Sequence, residues 1–327
     1  MSAPVIEARA LRKTYKVRGR GKEAPRTVEA VKGVDITIDE GEIVGFLGPN
    51  GAGKTTTLRM LTTLLNPSGG TATVNGHDLA KDPVSVRRSI GYVAQMGTTD
   101  PSAVAGEELV DQARLYGIDR KVAADRGKAL LSGLDLDGIW ERKCGTLSGG
   151  QRRRLDIAMG LIHEPRIVFL DEPSTGLDPQ SRANLWDHIR RVRDDFHTTV
   201  FITTHYMDEA DALSDRLLVI DHGEIVGKGT AEELKRSVGG DQVLLTSTSA
   251  DAARALARAA TAILGDLPAE VDGDEVRLTV PDGASALPKL LRELGASHDV
   301  EGVAVRRPTL DDVFLTMTGR SLRDEEN

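Results

Sequence analysis

Hydrophobic and polar positions alternate in some stretches of this chain and recur at helical spacing in others. Residues 5–17, VIEARALRKTYKV, and 28–39, VEAVKGVDITID, are rich in strand formers with partial alternation. They predict two antiparallel strands, separated by the basic Gly/Pro stretch RGRGKEAPR at 18–26. EIVGFLG at 42–48 is a short unbroken apolar run, the pattern of a strand buried on both faces. It leads through a Gly-rich turn into a helical pattern, KTTTLRMLTTLL, at 54–65. GGTATVNG (69–76) and SIGYVAQ (89–95) predict further short strands, and residues 104–163 are mostly helical by period. RIVFLDEP (166–173), TVFITTH (199–205) and RLLVIDHGEIV (216–226) predict three more strands, the first two separated by the helix PQSRANLWDHIRRVRD (179–194). Strand and helix alternate as in a parallel α/β core, interrupted by the helical insertion.

The pattern changes after residue 240. DQVLLTST, DAARALARAATAIL, PAEVD, EVRLTV, ALPKLLRELG and VEGVAVRR predict β-α-β-β-α-β, and the helix TLDDVFLTMTG follows. That order predicts a small ferredoxin-like α+β domain. The expected organisation is thus residues 1–240, with the helical subdomain at about 104–163, and residues 241–327.

Composition narrows the function classes. A chain of 327 residues has room for roughly two domains of ~150 residues. The net charge of −8 argues against a protein that coats nucleic acid, and 3% aromatics argues against base-stacking platforms. A single cysteine, Cys144, forbids an intrachain disulfide and points to a reducing compartment. The N-terminal stretch has no apolar signal core, and no apolar run approaches the ~18 residues that cross a bilayer. The expectation is a cytosolic protein that would reach a membrane only through a partner.

The chemistry begins at GPNGAGKTT, residues 48–56, which fits G-x-x-x-x-G-K-[ST] between a strand and a helix. Gly48, Gly51 and Gly53 let backbone N–H groups turn inward around phosphate, and the helix N-terminus favours the same charge. Lys54 would contact the β- and γ-phosphates and Thr55 would give its hydroxyl to Mg²⁺. In IVFLDEP a buried strand ends in Asp171, positioned to reach Mg²⁺ through its water shell, and Glu172 follows where the chain begins to turn. Glu172 is therefore the candidate to polarise the attacking water. A lone Asp-Glu at a strand end is ordinarily surface charge; the phosphate loop gives this pair its meaning. His205 stands at the C-terminal edge of a core strand, where open α/β sheets bind ligands. His77, His163, His188, His197, His222 and His298 read as structural.

With these pieces in order, the chain resembles an ABC transporter ATP-binding subunit over residues 5–235. LSGGQ at 147–151 resembles the family's signature motif, Gln95 in YVAQ its Q-loop, and STGLD at 174–178, ending in Asp178, its D-loop. Tyr15 resembles the aromatic that stacks on adenine. The resemblance implies an α/β, P-loop NTPase core with an antiparallel β subdomain and a helical subdomain insertion, plus the small C-terminal α+β domain. It implies ATP and Mg²⁺ as cofactors, and Lys54, Gln95, Glu172 and His205 as catalytic residues. Thr55, Gln95 and Asp171 would serve the metal. Tyr15, the loop Gly48, Pro49, Asn50, Gly51, Ala52, Gly53, Lys54, Thr55 and Thr56, and Ser148, Gly149, Gly150, Gln151 and Asp178 would bind nucleotide. In this family two subunits pair head to tail, so the signature of one closes on the γ-phosphate held by the other. Ser148 also has the ordinary role of an N-cap, and a solvated helix face is the expected place of Arg152, Arg153 and Arg154.

The tail RRPTLDDVFLTMTGR (306–320) is similar to the C-terminal end of ATPases of daunorubicin/doxorubicin-resistance type drug exporters, whose membrane-spanning permease is a separate chain. Related lipid and polysaccharide exporters share parts of it. The stretch 18–26 is longer than the family's usual link between its first two strands. The resemblance thus implies an exporter ATPase, peripheral on the cytoplasmic face of the membrane through its permease. ABC-type ATPases acting on ribosomes or DNA are the rival class. They resemble fused double cassettes or carry long coiled coils, whereas this chain has one phosphate loop, one signature and no sustained heptads. A P-loop kinase would make LSGGQ, the D-loop and His205 coincidences.

Overall fold

The computed structural model describes residues 4–17, 26–265, 267–294 and 300–319. Most of the basic stretch 18–26, and with it the question its length raised, lies outside them, as do His298 and Arg320. The chain divides into two compact units, Met1–Ala231 and Glu232–Ser321.

In the first unit β1 (Ile6–Val17) pairs antiparallel with β2 (Arg26–Ile38). Then come β3 (Ile43–Leu47), α1 (Lys54–Leu61), β4 (Gly69–Val74), the two-residue β5 (His77–Asp78), α2 (Pro83–Ser89) and β6 (Ile90–Val93). The insertion holds α3 (Ala105–Leu115), α4 (Arg120–Gly133) and α5 (Gly149–Leu161). The core resumes with β7 (Ile167–Asp171), α6 (Pro179–Phe196), β8 (Thr199–Thr204), α7 (Met207–Leu213), β9 (Arg216–Asp221) and β10 (Glu224–Gly229). One four-stranded sheet has the order β2-β1-β4-β5, and a six-stranded sheet has the order β10-β9-β3-β8-β7-β6. In the latter every pairing from β9 to β6 is parallel.

The apolar runs are where a parallel sheet needs them. Every residue of β3, β7 and β8 is buried, because elements cover both faces. Phe46, Phe169 and Phe201, one from each strand, meet with centroids 5.5 and 5.6 Å apart and are fully buried. Removing such a ring costs about 3–5 kcal/mol. One core cluster joins that aromatic face to the antiparallel sheet; the other joins the opposite face to the helical insertion. RLLVIDHGEIV is two strands rather than one. β9 and β10 form an antiparallel hairpin around His222 (φ 46°) and Gly223 (φ 82°). Two successive positive φ values make the turn that matches strand twist, and the second falls on the residue with no Cβ to resist it.

The second unit takes most of α8 (Ala231–Ser237), then β11 (Asp241–Ser247), α9 (Ala250–Leu264), β12 (Ala269–Asp272), β13 (Glu275–Val280), α10 (Gly283–Leu294), β14 (Val300–Arg306) and α11 (Leu310–Thr318). The sheet order β12-β13-β11-β14, antiparallel throughout, is that of a ferredoxin-like domain. Its core joins Val243 and Leu245 of β11 to Leu256 of α9 and Leu290 of α10.

Candidate functional site

Three adjacent strands bring the phosphate-loop residues together. β8 lies between β3 and β7, with Leu47 opposite Thr204 and Asp171 opposite Thr203. The phosphate loop, the Asp171–Glu172 pair and His205 therefore leave the C-terminal edge of the sheet side by side, although up to 157 residues separate them in sequence. An open α/β sheet leaves room for a ligand at this edge.

The loop runs into α1 through Gly53, whose φ of 108° is a conformation that a side chain would strain. No side chain caps the helix, so its first N–H groups, which lack intrahelical acceptors, are left to the loop. Lys54 is 4% exposed, and its ammonium donates to the carbonyls of Gly48 (2.7 Å) and Pro49 (3.0 Å). It also lies 3.4 Å from Glu172 Oε1. Thr55 Oγ1 donates to Asp171 Oδ1 at 3.1 Å, and Thr203 Oγ1 donates to the same oxygen at 2.6 Å. An uncapped helix start, an inward ammonium and a hydroxyl–carboxylate pair suit a nucleotide's phosphates with a divalent cation beside them.

Glu172 is held on every side. Its backbone N–H donates to Thr203 Oγ1 (3.0 Å), and its Oε2 accepts from Gln95 Nε2 (3.0 Å) and Thr175 Oγ1 (3.2 Å). His205 Nδ1 lies 3.2 Å from that same oxygen. The residue sits at φ 43°, an uncommon conformation for anything but glycine, and such strain persists only where surrounding contacts impose it. Burial opposes ionisation of this carboxyl, but the His205 ring and the Lys54 ammonium outweigh burial and hold it below the ordinary glutamate value. The group facing the phosphate loop is therefore a carboxylate at neutral pH, as accepting a proton requires.

Of the remaining expected site residues, Gln95 joins this cluster. Gln95 is placed at Glu172; its recorded hydrogen bond is to that carboxylate rather than to Thr55 or Asp171. Asn50 and Gly51 are exposed on the loop, Ala52 is buried in it, and Thr56 is half-buried in the first turn of α1. Tyr15 stands on β1, 38% exposed, with the Lys13 ammonium 5.4 Å from its ring centroid. Ser148 caps α5: its hydroxyl accepts from Gln151 N (3.2 Å) while Gln151 Oε1 accepts from Ser148 N (3.0 Å), a reciprocal capping box. Ser148 and Gly149 are exposed, and a Cβ at Gly149 would meet nothing within 4 Å. Asp178 caps α6 through Ser181 N (2.9 Å), and Ser181 lies beside Gly150. Signature and D-loop thus stand next to each other on an open surface.

Three structural residues differ from the sequence reading or were absent from it. Arg153 does not lie on a solvated face; it is 7% exposed, and Arg152 and Arg154 are half-buried. The signal was available, because Arg153 falls in one stripe with Ile157 and Gly160, all buried. Thr203 bonds both Asp171 and Glu172, and as one of three threonines in the buried strand β8 it carried no distinguishing mark in the sequence. Glu209 on α7 is 1% exposed and accepts from Trp186 Nε1 at 3.1 Å. Burial outweighs its hydrogen bonds to Thr204, Ser174 and Trp186 and raises its carboxyl above the ordinary value. The sequence offered no sign of that burial.

Residues 31–175 match the ABC transporter family model, and residues 229–318 match the model for the C-terminal domain of DrrA1-3-like ATP-binding proteins. The daunorubicin/doxorubicin resistance ATP-binding protein DrrA of Streptomyces peucetius is 42% identical over 298 residues, 90% of this chain and 89% of that protein. The chain belongs to the ABC transporter ATP-binding proteins of the daunorubicin/doxorubicin-resistance type. The linearmycin resistance ATP-binding protein LnrL of Bacillus subtilis is 32% identical, with 98% of this chain and all of that protein covered. Among solved structures, a dimeric ATP-binding cassette in a post-hydrolysis state, bound to ADP and Pi, superposes with a TM-score of 0.61. It is 25% identical and covers 69% of this chain and 98% of that one. The chain is thus an ABC ATPase that binds ATP and serves as the ATPase subunit of an exporter.

Proposed function

We propose that this ABC ATPase powers export of a drug-like, hydrophobic compound through a separate integral membrane permease. It works as a pair of identical chains closing head to tail on ATP. Two relatives are resistance proteins, for daunorubicin/doxorubicin and for linearmycin, and this supports the substrate class. Among the described residues no helix is long and apolar enough to cross a membrane, so the transport path calls for another chain. A place on the cytoplasmic face of the membrane follows from that partnership.

One observation carries the two-chain reading: Ser148 and Gly149 are exposed, and the Ser148 hydroxyl accepts from Gln151 of its own helix rather than meeting Lys54, Asp171 or Glu172. A second molecule supplies the phosphate they would meet. In each site Lys54 and the uncapped start of α1 hold the β- and γ-phosphates, and Tyr15 stacks on adenine. Thr55 and Asp171 would hold Mg²⁺, which supplies neutralisation of phosphate charge. Glu172 accepts the proton of the attacking water, and His205 and Gln95, both at its Oε2, orient that end of the carboxylate. The protein's contribution is position and fixed charge, which is most of what phosphoryl transfer needs. The second unit, with no phosphate loop, serves assembly or regulation rather than the ATP site.

The test is the oligomeric state of Glu172→Gln with ATP. The variant binds ATP but hydrolyses it poorly, so a stable dimer should accumulate, and adding Ser148→Arg should return it to monomers that still bind ATP. A Glu172→Gln chain that stays monomeric at saturating ATP overturns the head-to-tail reading. Co-purification of a polytopic protein from solubilised membranes tests the permease, and ribosomes or DNA in its place would favour the non-transport class.

A further inference from the structure

The buried Arg153 is the place where the signature helix grips the backbone on either side of Glu172 in its own chain. It lies five residues after Ser148 on α5 and sends its guanidinium to three backbone carbonyls. Nη1 donates to Ala94 (2.6 Å), Nε to Pro173 (2.8 Å) and Nη2 to Asp171 (3.1 Å). Asp171 and Pro173 are the two neighbours of Glu172, and Ala94 precedes Gln95. One planar group thus fixes the chain before and after the strained Glu172 and, at the same time, the residue before the glutamine that bonds it. A guanidinium presents donors in a rigid fork, so it can hold three acceptors in fixed relative positions where an ammonium cannot.

Asp156, one turn further along α5, continues the grip. Its Oδ1 accepts from Thr98 N at 3.2 Å, and a Cβ on Gly97 would come within 2.8 Å of Oδ2. The segment from Gln95 to Gly97 is therefore held at both ends by side chains of α5. Burial pushes the Arg153 guanidinium below its usual value, while Asp156 and Asp171 oppose that. A buried cation whose hydrogen bonds all go to backbone carbonyls is a costly way to fill space, and an apolar side chain would serve packing alone.

The geometry assigns Arg153 the role of a positioning residue that links two ATP sites. α5 begins at the exposed Ser148–Gly150 tip, which serves the partner's nucleotide, and through Arg153 it fixes Glu172 and Gln95, which serve its own. A displacement of the tip is transmitted to the carboxylate by a rigid helix and three hydrogen bonds. The inference rests on the head-to-tail reading above.

Mixed dimers test it. Arg153→Met keeps length and apolar volume but removes all three donors, and Arg153→Lys leaves one donor group. ATP affinity of the isolated Arg153→Met chain should stay within roughly twofold of wild type, since no phosphate-loop contact is lost. In the homodimer kcat should fall about 10- to 150-fold, the range for lost hydrogen bonds to a charged group, with KM nearly unchanged. Arg153→Lys should fall less. A residue that merely supports the fold would lower the melting temperature without this split. In mixed dimers Arg153→Met is placed in one subunit, with Lys54→Ala either in that same subunit or in its partner. The first arrangement leaves the site that borrows the altered chain's tip; the second leaves the site that uses its own Glu172. Both should turn over about tenfold or more below the dimer carrying Lys54→Ala alone. Control-level activity in the first arrangement overturns the link, and in the second it overturns the positioning of Glu172. If the Met variant does not fold, Arg153→Lys in the same arrangements decides the matter by the same criteria. A Glu172→Gln chain unchanged at position 153 that never dimerises condemns the head-to-tail reading instead, so the two failures are distinguishable.

Discussion

The phosphate-loop cluster and the signature tip, both proposed to meet phosphate, are built in opposite ways. Lys54, Asp171 and Glu172 are buried, Lys54 against Glu172 and Asp171 against the hydroxyls of Thr55 and Thr203, so the site is shaped before any ligand arrives. Ser148 and Gly149 are exposed, and among the described residues the serine hydroxyl is engaged in capping its own helix. A preorganised buried site can perform chemistry, because its dipoles need no rearrangement as charge develops. An exposed cap can only complete a site brought to it. Under the proposed function the first region performs hydrolysis and the second meets a partner's nucleotide.

The largest expected effect lies in the buried cluster. Glu172→Gln should leave ATP affinity nearly intact and cut turnover by about 10²–10⁴, the usual worth of a general base. Single-turnover hydrolysis beside equilibrium ATP binding checks this, and wild-type turnover would remove Glu172 from the chemistry. Lys54→Ala should instead lose both binding and turnover.

At the tip, Ser148→Arg should spare ATP binding to the isolated chain and weaken ATP-driven dimer closure by about 10- to 150-fold, the value of a charge-assisted hydrogen bond. Sedimentation with ATP in the Glu172→Gln background reads the effect. Equal loss of monomer affinity would erase the contrast between the two regions.

Acid should act on the support behind the tip before it reaches the buried cluster. Arg154 of α5 donates to the carbonyls of Leu134 (2.9 Å) and Asp135 (3.3 Å) and faces His188 Nε2 at 3.0 Å, while Arg191 faces His188 Nδ1 at 2.6 Å. Burial and these two cations lower the His188 pKa to about 4, against the pull of Asp135 and Asp187. The folded pKa lies below the unfolded one, so between pH 6.5 and 4 the unfolded chain binds more protons and stability falls as pH falls. The loss is about 2–3 kcal/mol over that window. Urea titrations from pH 7 to 4 should show this slope, and His188→Gln should flatten it; an unchanged slope in the variant would assign it to other groups.

The smallest effect is expected from the second unit. A chain ending at Gly240 keeps every residue of the cluster and should bind ATP within roughly twofold of the full chain, since distant sites act independently, while assembling or exporting poorly. Lost binding in a truncated chain that still gives a cooperative melt would show that the second unit serves the ATP site.

What the sequence determined by itself is local. The phosphate loop, the strand-end Asp171–Glu172 pair and the LSGGQ helix start were legible because each is one contiguous stretch whose chemistry depends on neighbours within a turn or a pleat. The strand–helix alternation and the β-α-β-β-α-β order of the second unit were legible for the same reason, as periods of 2 and 3.6. The hairpin of β9 and β10 was missed because its apolar positions run on through His222–Gly223, and only the positive φ values show the chain reversing. The tertiary structure decided the rest, because it alone sets which strand lies beside which. The order β8-β7-β6 brings Thr203 to Asp171 across 32 residues and Gln95 to Glu172 across 77, and burial of one face of α5 turns Arg153 from a surface charge into a clamp. The stripe of α5 marks the face that Arg153 shares with Ile157 and Gly160, but which partners that face meets belongs to the packed state, because they lie far away in sequence.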